Sequence, residues 1–472
     1  MAPSLDAVVV GAGPNGLVAA VTLARAGWRV VVFEAAETAG GGLRSAALTG
    51  AGYVHDVCSA VHPLGVGSPA LRALPLEQHG LRWIQPGAPL AHPLDGDRAA
   101  MLERSVAETA GGLGADGDAY RSLLHPLVDH GFGVIDSVLS PFGVPKAPFA
   151  TARFGLRALR SASAITSRFS DDPARALFAG SAAHSMLALD AAGTAGYALF
   201  LTMLGHVVGW PIAEGGSQRI ADALVALLRA HGGEVVTGTE ITTLAELPPA
   251  RAVLLDLTPR QVRRITGDAL PQRYARALDR YRYGPGVCKV DWATNAPIPW
   301  RAAAVGRAAT VHVGGSIEEI AASEAAVSAG RHAERPFVIV TQPSLFDATR
   351  APDGGHTVWA YCHVPNGSTL DRSAVIEAQI ERFAPGFRDT IVHRHTMNTV
   401  AMERHDANYV GGDINGGLGD LRQLFTRPVV SLRPWVTPIP HVYLCSSSTP
   451  PGGGVHGMCG WHAARAALRR ER

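Results

Sequence analysis

Residues Ala7-Val8-Val9-Val10-Gly11-Ala12-Gly13-Pro14-Asn15-Gly16 open a stretch that continues as an Ala/Leu-rich run to Ala26 and then as Arg29-Val30-Val31-Val32-Phe33-Glu34. The pattern reads as strand, glycine turn, helix, strand, which is a βαβ unit. In such a unit Gly11 permits the tight turn, Gly13 lets the backbone approach a pyrophosphate, and Gly16 lets helix pack on strand. Pro14 and Asn15 belong to the same cofactor-binding turn, and the N-terminus of the helix that follows offers N–H groups to an anion. A carboxylate at Glu34, at the end of the second strand, can accept hydrogen bonds from both ribose hydroxyls of an adenosine and would repel a 2′-phosphate, so NADP is disfavoured.

Context has to carry this reading, because 53 glycines in 472 residues give on the order of one GxGxxG by chance. A second match, Gly112 to Gly117, lacks a preceding strand and a following apolar helix and reads as a loop. Directly after Glu34 comes Ala35-Ala36-Glu37-Thr38-Ala39-Gly40-Gly41-Gly42-Leu43-Arg44-Ser45, a glycine cluster just past the ribose position. An NAD-binding domain has no need of it.

At these residues the chain resembles the flavoprotein superfamily of amine oxidases and carotenoid desaturases, and most closely its phytoene desaturase-like group, including the pyridine nucleotide-disulfide oxidoreductase domain 2 branch. The segments that carry the likeness span most of the chain: His55 to Pro63, Trp210 to Ser217, Leu255 to Pro259, Lys289 to Trp292, and Tyr443 to Met458. The resemblance implies FAD as cofactor. It implies contacts from Ala35, Gly41, Gly42, Leu43, Arg44, Ser59, Ile241, Pro259, Gly454, Val455, His456, Gly457 and Met458, beside the first glycine loop and Glu34. An arginine often follows the paired glycines in that group; here Leu43 takes the place, and Arg44 is the alternative. The implied fold is α/β, a Rossmann-type FAD-binding domain assembled from residues 1–75, 209–285 and 416–472, with an α+β substrate domain from 76–208 and 286–415. The Gly452 to Gly457 turn precedes Trp461 to Leu468, rich in helix formers, so a helix starting there would turn its N-terminus toward the flavin.

Between the two glycine-rich ends, helices are expected over Ile220–His231, Tyr120–His130 and Phe149–Ser167, and strands over 232–236, 239–243, Phe337–Thr341 and His356–Tyr361. Lys146, Arg153, Arg157, Arg160 and Arg168 occur with no acid and are interleaved with Phe149, Phe154, Leu156, Leu159 and Ile165. Two readings stand for this segment: a solvated basic face, or a helix in peripheral contact with a membrane. Tyr197 to Leu204 reads as core helix and is too short to span a bilayer.

Desaturation requires hydride transfer to flavin N5 and loss of a proton from the neighbouring carbon. No motif declares the base. His62 and His456 are the first candidates, because the family-like segments bring them toward the flavin, and a structural role competes for each. The leading expectation is dehydrogenation of a hydrophobic isoprenoid or polyene skeleton, with oxygen, a quinone or another carrier taking the electrons. Amine-oxidase-like imine formation, redox-neutral isomerisation and a non-catalytic FAD scaffold are the alternatives.

Composition sets the outer limits. Net charge of +2 with scattered basic residues excludes the continuous positive field that nucleic acid needs. Five cysteines without regular spacing imply neither a disulfide framework nor a zinc site, and His393 and His395 lack a third ligand, so no metal is expected. A signal peptide is not read in the N-terminal apolar run, interrupted as it is by Asn15, Arg25 and Arg29, and a cytoplasmic location is expected.

Overall fold

The computed structural model describes residues 5–141 and 143–471. The quoted βαβ unit forms as strand Leu5–Val10, helix Pro14–Arg25 and strand Val30–Phe33. Pro14 occupies the first helical turn, where its missing N–H costs nothing and its fixed φ suits the helix. Strands Ala250–Leu255 and Val442–Leu444 add on one side and Glu234–Val236 on the other, all parallel. Register aligns Val10 with Phe33 and Leu255, and Leu255 with Leu444. The carboxyl ends of these strands therefore share one edge, where an open parallel sheet forms its ligand crevice.

A second sheet of seven strands runs in the order 391–397, 286–294, 356–364, 338–341, 308–313, 88–94, 98–102 and is antiparallel except where 308–313 meets 88–94. Side chains on a strand alternate between faces. On one face of this sheet Cys288, Val290, Trp292, Val311, Val313, Val338, Val340, Val358, Ala360 and Cys362 close an apolar core with Ile376, Ile380 and Phe387. The opposite face carries Lys289, Asp291, Thr310, His312, Thr341, Trp359, Tyr361 and His363. The strands of the parallel sheet all fall within 1–75, 209–285 and 416–472, and those of the larger sheet within 76–208 and 286–415.

Three expectations need correction. Residues 239–243 form no strand: Thr239 N donates to Glu34 O at 2.9 Å, and Thr242 then bonds Glu246 through both its amide (2.9 Å) and its hydroxyl (2.6 Å), so the chain crosses the strand ends as a loop. The helix expected over 149–167 is two helices, Pro148–Ala158 and Ala162–Thr166, because the Ser161 hydroxyl accepts from Ala164 N and caps a new start. Gly112 to Gly117 is a corner between helices Val106–Gly112 and Gly117–Val128, with a turn of 3₁₀-helix at Gly114–Asp116. No described helix is long and apolar enough to cross a membrane, and all five cysteines are free and buried.

Candidate active site

A Cβ added at Gly16 would lie 2.0 Å from Gly11 O, so only glycine lets the first helix start this close to the turn. The same crowding brings Asp256, just past the neighbouring strand, onto the helix start: its Oδ2 accepts from Gly16 N at 2.8 Å. One of the helix N–H groups expected to be free for an anion is thus taken by a protein carboxyl. Burial pushes Asp256 up to about 8, the charges of Asp406 and Glu34 add to the rise, and the Gly16 bond opposes it.

Glu34 was expected to end its strand and lies one residue past it. Its two carboxylate oxygens accept from Ala12 N (2.7 Å) and Ala36 N (2.9 Å), which fixes the carboxylate at the sheet edge with lone pairs left over. The second glycine cluster folds back on the first loop, with Gly40 N donating to Ala12 O at 2.8 Å. A Cβ at Gly41, where φ is +53°, would come within 3.1 Å of the Gly13 Cα. After these glycines Leu43 is fully buried in the core, and it is Arg44 that lines the cavity, its Nε donating to Gly41 O at 3.1 Å and its guanidinium reaching His405 O.

One cavity of about 650 Å³ joins these parts. Of the sequence-predicted residues, Gly11, Gly13, Pro14, Asn15, Glu34, Ala35, Gly41, Gly42, Arg44, Ser59, His62, Ile241, Gly454 and Val455 line it; Gly16, Leu43, Pro259, His456, Gly457 and Met458 do not. Pro259 opens a helix beside the strand end, while Asp256, Leu257 and Gln261 reach the cavity. Sequence reading missed the turn Arg404 to Tyr409, which also lines the cavity and carries no motif. Asn408 ties that turn to the parallel sheet through Thr258 N (2.8 Å) and Asp256 O (3.1 Å).

The C-terminal helix spans Met458–Arg470 and packs along the first helix, which brings Gly454 and Val455 to the cavity. His456 makes this turn rather than facing the cavity. Its Nδ1 accepts from Met458 N (3.0 Å) and its Nε2 donates to Gly452 O (3.1 Å), so neither nitrogen is free for substrate. His62 differs. The Ser217 hydroxyl donates to Ser59 O (2.6 Å), so at 2.8 Å it accepts from His62 Nε2–H. Its Nδ1 then holds a lone pair without a partner. Burial lowers His62 to about 4, against the raising charge of Asp56, and the ring is neutral at ordinary pH. Asp56 organises this loop: it accepts from Ser45 Oγ and Ser217 N, both at 2.7 Å, and pairs with buried Arg350.

At the far end the cavity meets the polar face of the large sheet through Thr310, Ile339, Thr341, Trp359 and Tyr361, and the helical layer through His184, Leu201 and Trp210. The donors therefore fit FAD. The glycine cradle and Glu34 suit its adenosine and pyrophosphate, and the cavity continues past them to the Gly454 turn and an aromatic wall.

Residues 9–74 match the NAD(P)-binding Rossmann-like domain family. The chain is similar to pyridine nucleotide-disulfide oxidoreductase domain-containing protein 2 of Rattus norvegicus, 26% identical across 99% of this chain and 94% of that protein. Among solved structures it resembles an oxidoreductase from Methanosarcina mazei (TM-score 0.67, 17% identity, 99% of this chain and 100% of that one). It also resembles putrescine oxidase bound to putrescine (TM-score 0.63, 19% identity, 99% of each chain). Along nearly its whole length the chain is thus similar in sequence to pyridine nucleotide-disulfide oxidoreductase domain-containing protein 2, and it shares the fold of these solved oxidoreductases.

Proposed function

We propose that the chain is an FAD-dependent oxidoreductase that dehydrogenates a hydrophobic carbon skeleton of the isoprenoid or polyene kind. The observation that carries this reading is the single cavity joining the dinucleotide cradle to a wall of Leu201, Trp210, Ile339, Trp359 and Tyr361. FAD, when bound, supplies a hydride acceptor at N5 and passes the two electrons to oxygen, a quinone or another carrier. The protein's part is to align the substrate, exclude water and receive a proton. His62 is the candidate for the last task, since its ring lines the cavity and its bond to Ser217 leaves the buried Nδ1 without a hydrogen-bond partner. The proton from the carbon adjoining the hydride donor would pass to Nδ1 as the new double bond forms.

Anaerobic mixing of the FAD-loaded protein with polyenes, amines and NAD(P)H tests this directly. Bleaching of the flavin by the hydrophobic carbon substrates is expected; bleaching by amines alone would replace dehydrogenation with imine formation.

We also infer that the basic segment meets an anionic membrane surface. Helix Pro148–Ala158 buries Ala150 and Phe154 but leaves Phe149 91% and Leu156 74% exposed. Near its end, Gly193 N donates to Arg160 O and Gly193 abuts Leu421, whose helix leads into exposed Phe425 (76%), Val430 (83%) and Leu432 (85%). Lys146 pairs with Asp136 at 2.6 Å, whereas Arg153, Arg157 and Arg160 bond to the backbone carbonyls of Ser122, Leu123 and Ala164 and, among the described residues, to no acid. Apolar side chains flanked by unneutralised cations complement an anionic bilayer.

A further inference from the structure

The wall of the cavity farthest from the glycine cradle is polar where a hydrocarbon site has no use for polarity. His184 lines it, and its Nε2 lies 2.8 Å from Nε2 of His312, a fully buried histidine on strand Ala308–Val313. The two rings are 4.9 Å apart, and Trp210 packs edge-on against both. The other nitrogen of His312, Nδ1, is buried and has no hydrogen-bond partner. A buried N–H without an acceptor is rarer and costlier than a bare lone pair, so His312 carries its proton on Nε2 and donates it to His184. His184 must then hold its own proton on Nδ1, its one unengaged nitrogen. Burial holds both rings neutral, with His184 lowered to about 3. Trp359, on the same wall, has an Nε1–H that is buried and equally unpartnered.

The charges at this end point the same way. Every carboxylate lining the cavity among the described residues (Glu34, Glu240, Asp256, Asp406) belongs to the dinucleotide end. Asp291, on the sheet's polar face, is bound to Lys289 and His55 and does not line the cavity. An ammonium group would find no counter-ion here, whereas two N–H donors call for an acceptor.

We propose that His184, held in one tautomer by His312, hydrogen-bonds an uncharged oxygen acceptor, a carbonyl, on an otherwise apolar substrate, with Trp359 Nε1–H as the second donor on the same wall. This rests on the dehydrogenase reading and narrows its substrate class. A hydrogen bond to the carbonyl draws electron density from the adjoining carbon and acidifies the C–H whose proton must leave, so the dyad acts as a positioning and activating device for dehydrogenation beside that carbonyl.

Calorimetric binding to the FAD-loaded full-length protein tests the assignment, using a long-chain ketone, the matching alkane and the matching primary amine as probes. The ketone is expected to bind about tenfold tighter than the other two, the worth of one neutral hydrogen bond. His184→Phe should abolish that preference, and His184→Gln, which keeps a donor, should retain part of it. His312→Phe, which frees His184 to change tautomer, should lower it with FAD content unchanged. Histidine ¹⁵N NMR should show His184 protonated on Nδ1. Equal affinity for ketone and alkane, a preference for the amine, no ketone binding, or a preference that survives His184→Phe would overturn the proposal. Protein that holds no flavin would instead defeat the function on which it rests, so the two failures are separable.

Discussion

Glu34 shows how far a single residue could be read in advance. Its place at the end of a strand after a glycine turn is a local pattern, and the carboxylate lies at the sheet edge on two amides. Replacing it with Gln keeps the shape and removes the charge, so FAD affinity should fall by about ten- to a hundredfold, the worth of charge-assisted hydrogen bonds; flavin retained after dialysis measures this. Asp256 was not legible, because its contact with Gly16 joins positions 240 residues apart and depends on strand register. Nor could sequence choose between Leu43 and Arg44, since one turn of 3₁₀-helix at Gly41–Leu43 decides which side chain enters the core. Asp256 also makes a pH prediction. Its folded value is raised from 3.8 to about 8, so the stability it contributes is complete below the unfolded value and is lost as pH rises through the folded one. Asp256→Asn keeps an acceptor for Gly16 N–H and removes the ionisation. The melting temperature of the variant should therefore gain on the original protein between about pH 4 and pH 8 and run parallel above. A constant difference over that window would contradict the assignment.

At the scale of elements, periodic segments were legible and irregular ones were not. The helix expected over Ile220–His231 is Gln218–Ala230, and the strand expected over His356–Tyr361 is His356–Val364. Residues 239–243 misled because β-branched residues favour a strand only when an edge is there to pair with, and this stretch leaves the sheet over its own strand ends. The C-terminal helix was expected, but the work of His456 was not: it accepts from Met458 N and so caps the helix at its start. Gly457, with φ of +65°, makes that start possible, and a Cβ there would lie 2.4 Å from Val18 Cγ2 on the first helix. Gly457→Ala should cost about 1–2 kcal/mol for the left-handed backbone alone, with more from the clash. Because this helix brings Gly454 and Val455 to the cavity, the variant should also lose flavin on heating before it unfolds. Thermal melts followed in parallel by circular dichroism and flavin fluorescence check both effects.

For the whole molecule, the resemblance to flavoproteins carried the architecture because it rested on segments at both ends of the chain, which the parallel sheet brings to one edge. The polar wall around His184 was not legible, since residues 184, 312 and 359 meet only through the packing of a helical layer on the large sheet. The exposed apolar face was half legible. Sequence showed cations beside aromatic residues, and only the fold reveals that Phe149 and Leu156 face outward while Phe154 packs on Phe200. Changing Phe149, Leu156 and Phe425 to Ser should abolish co-sedimentation with phosphatidylglycerol vesicles and leave the melting temperature unaltered. Binding should also weaken with salt; concentration-dependent dimerisation without vesicle binding would show that a second copy covers this face. The central claim is that the two glycine segments and Glu34 hold FAD in a cavity shared with substrate, and the absorption spectrum of the purified protein tests it most directly. The account predicts the two-banded visible spectrum of oxidised flavin, near one FAD per chain, released as FAD on denaturation and less well retained through dialysis in Glu34→Gln. A protein that stays colourless after reconstitution with FAD, while folded, would contradict it.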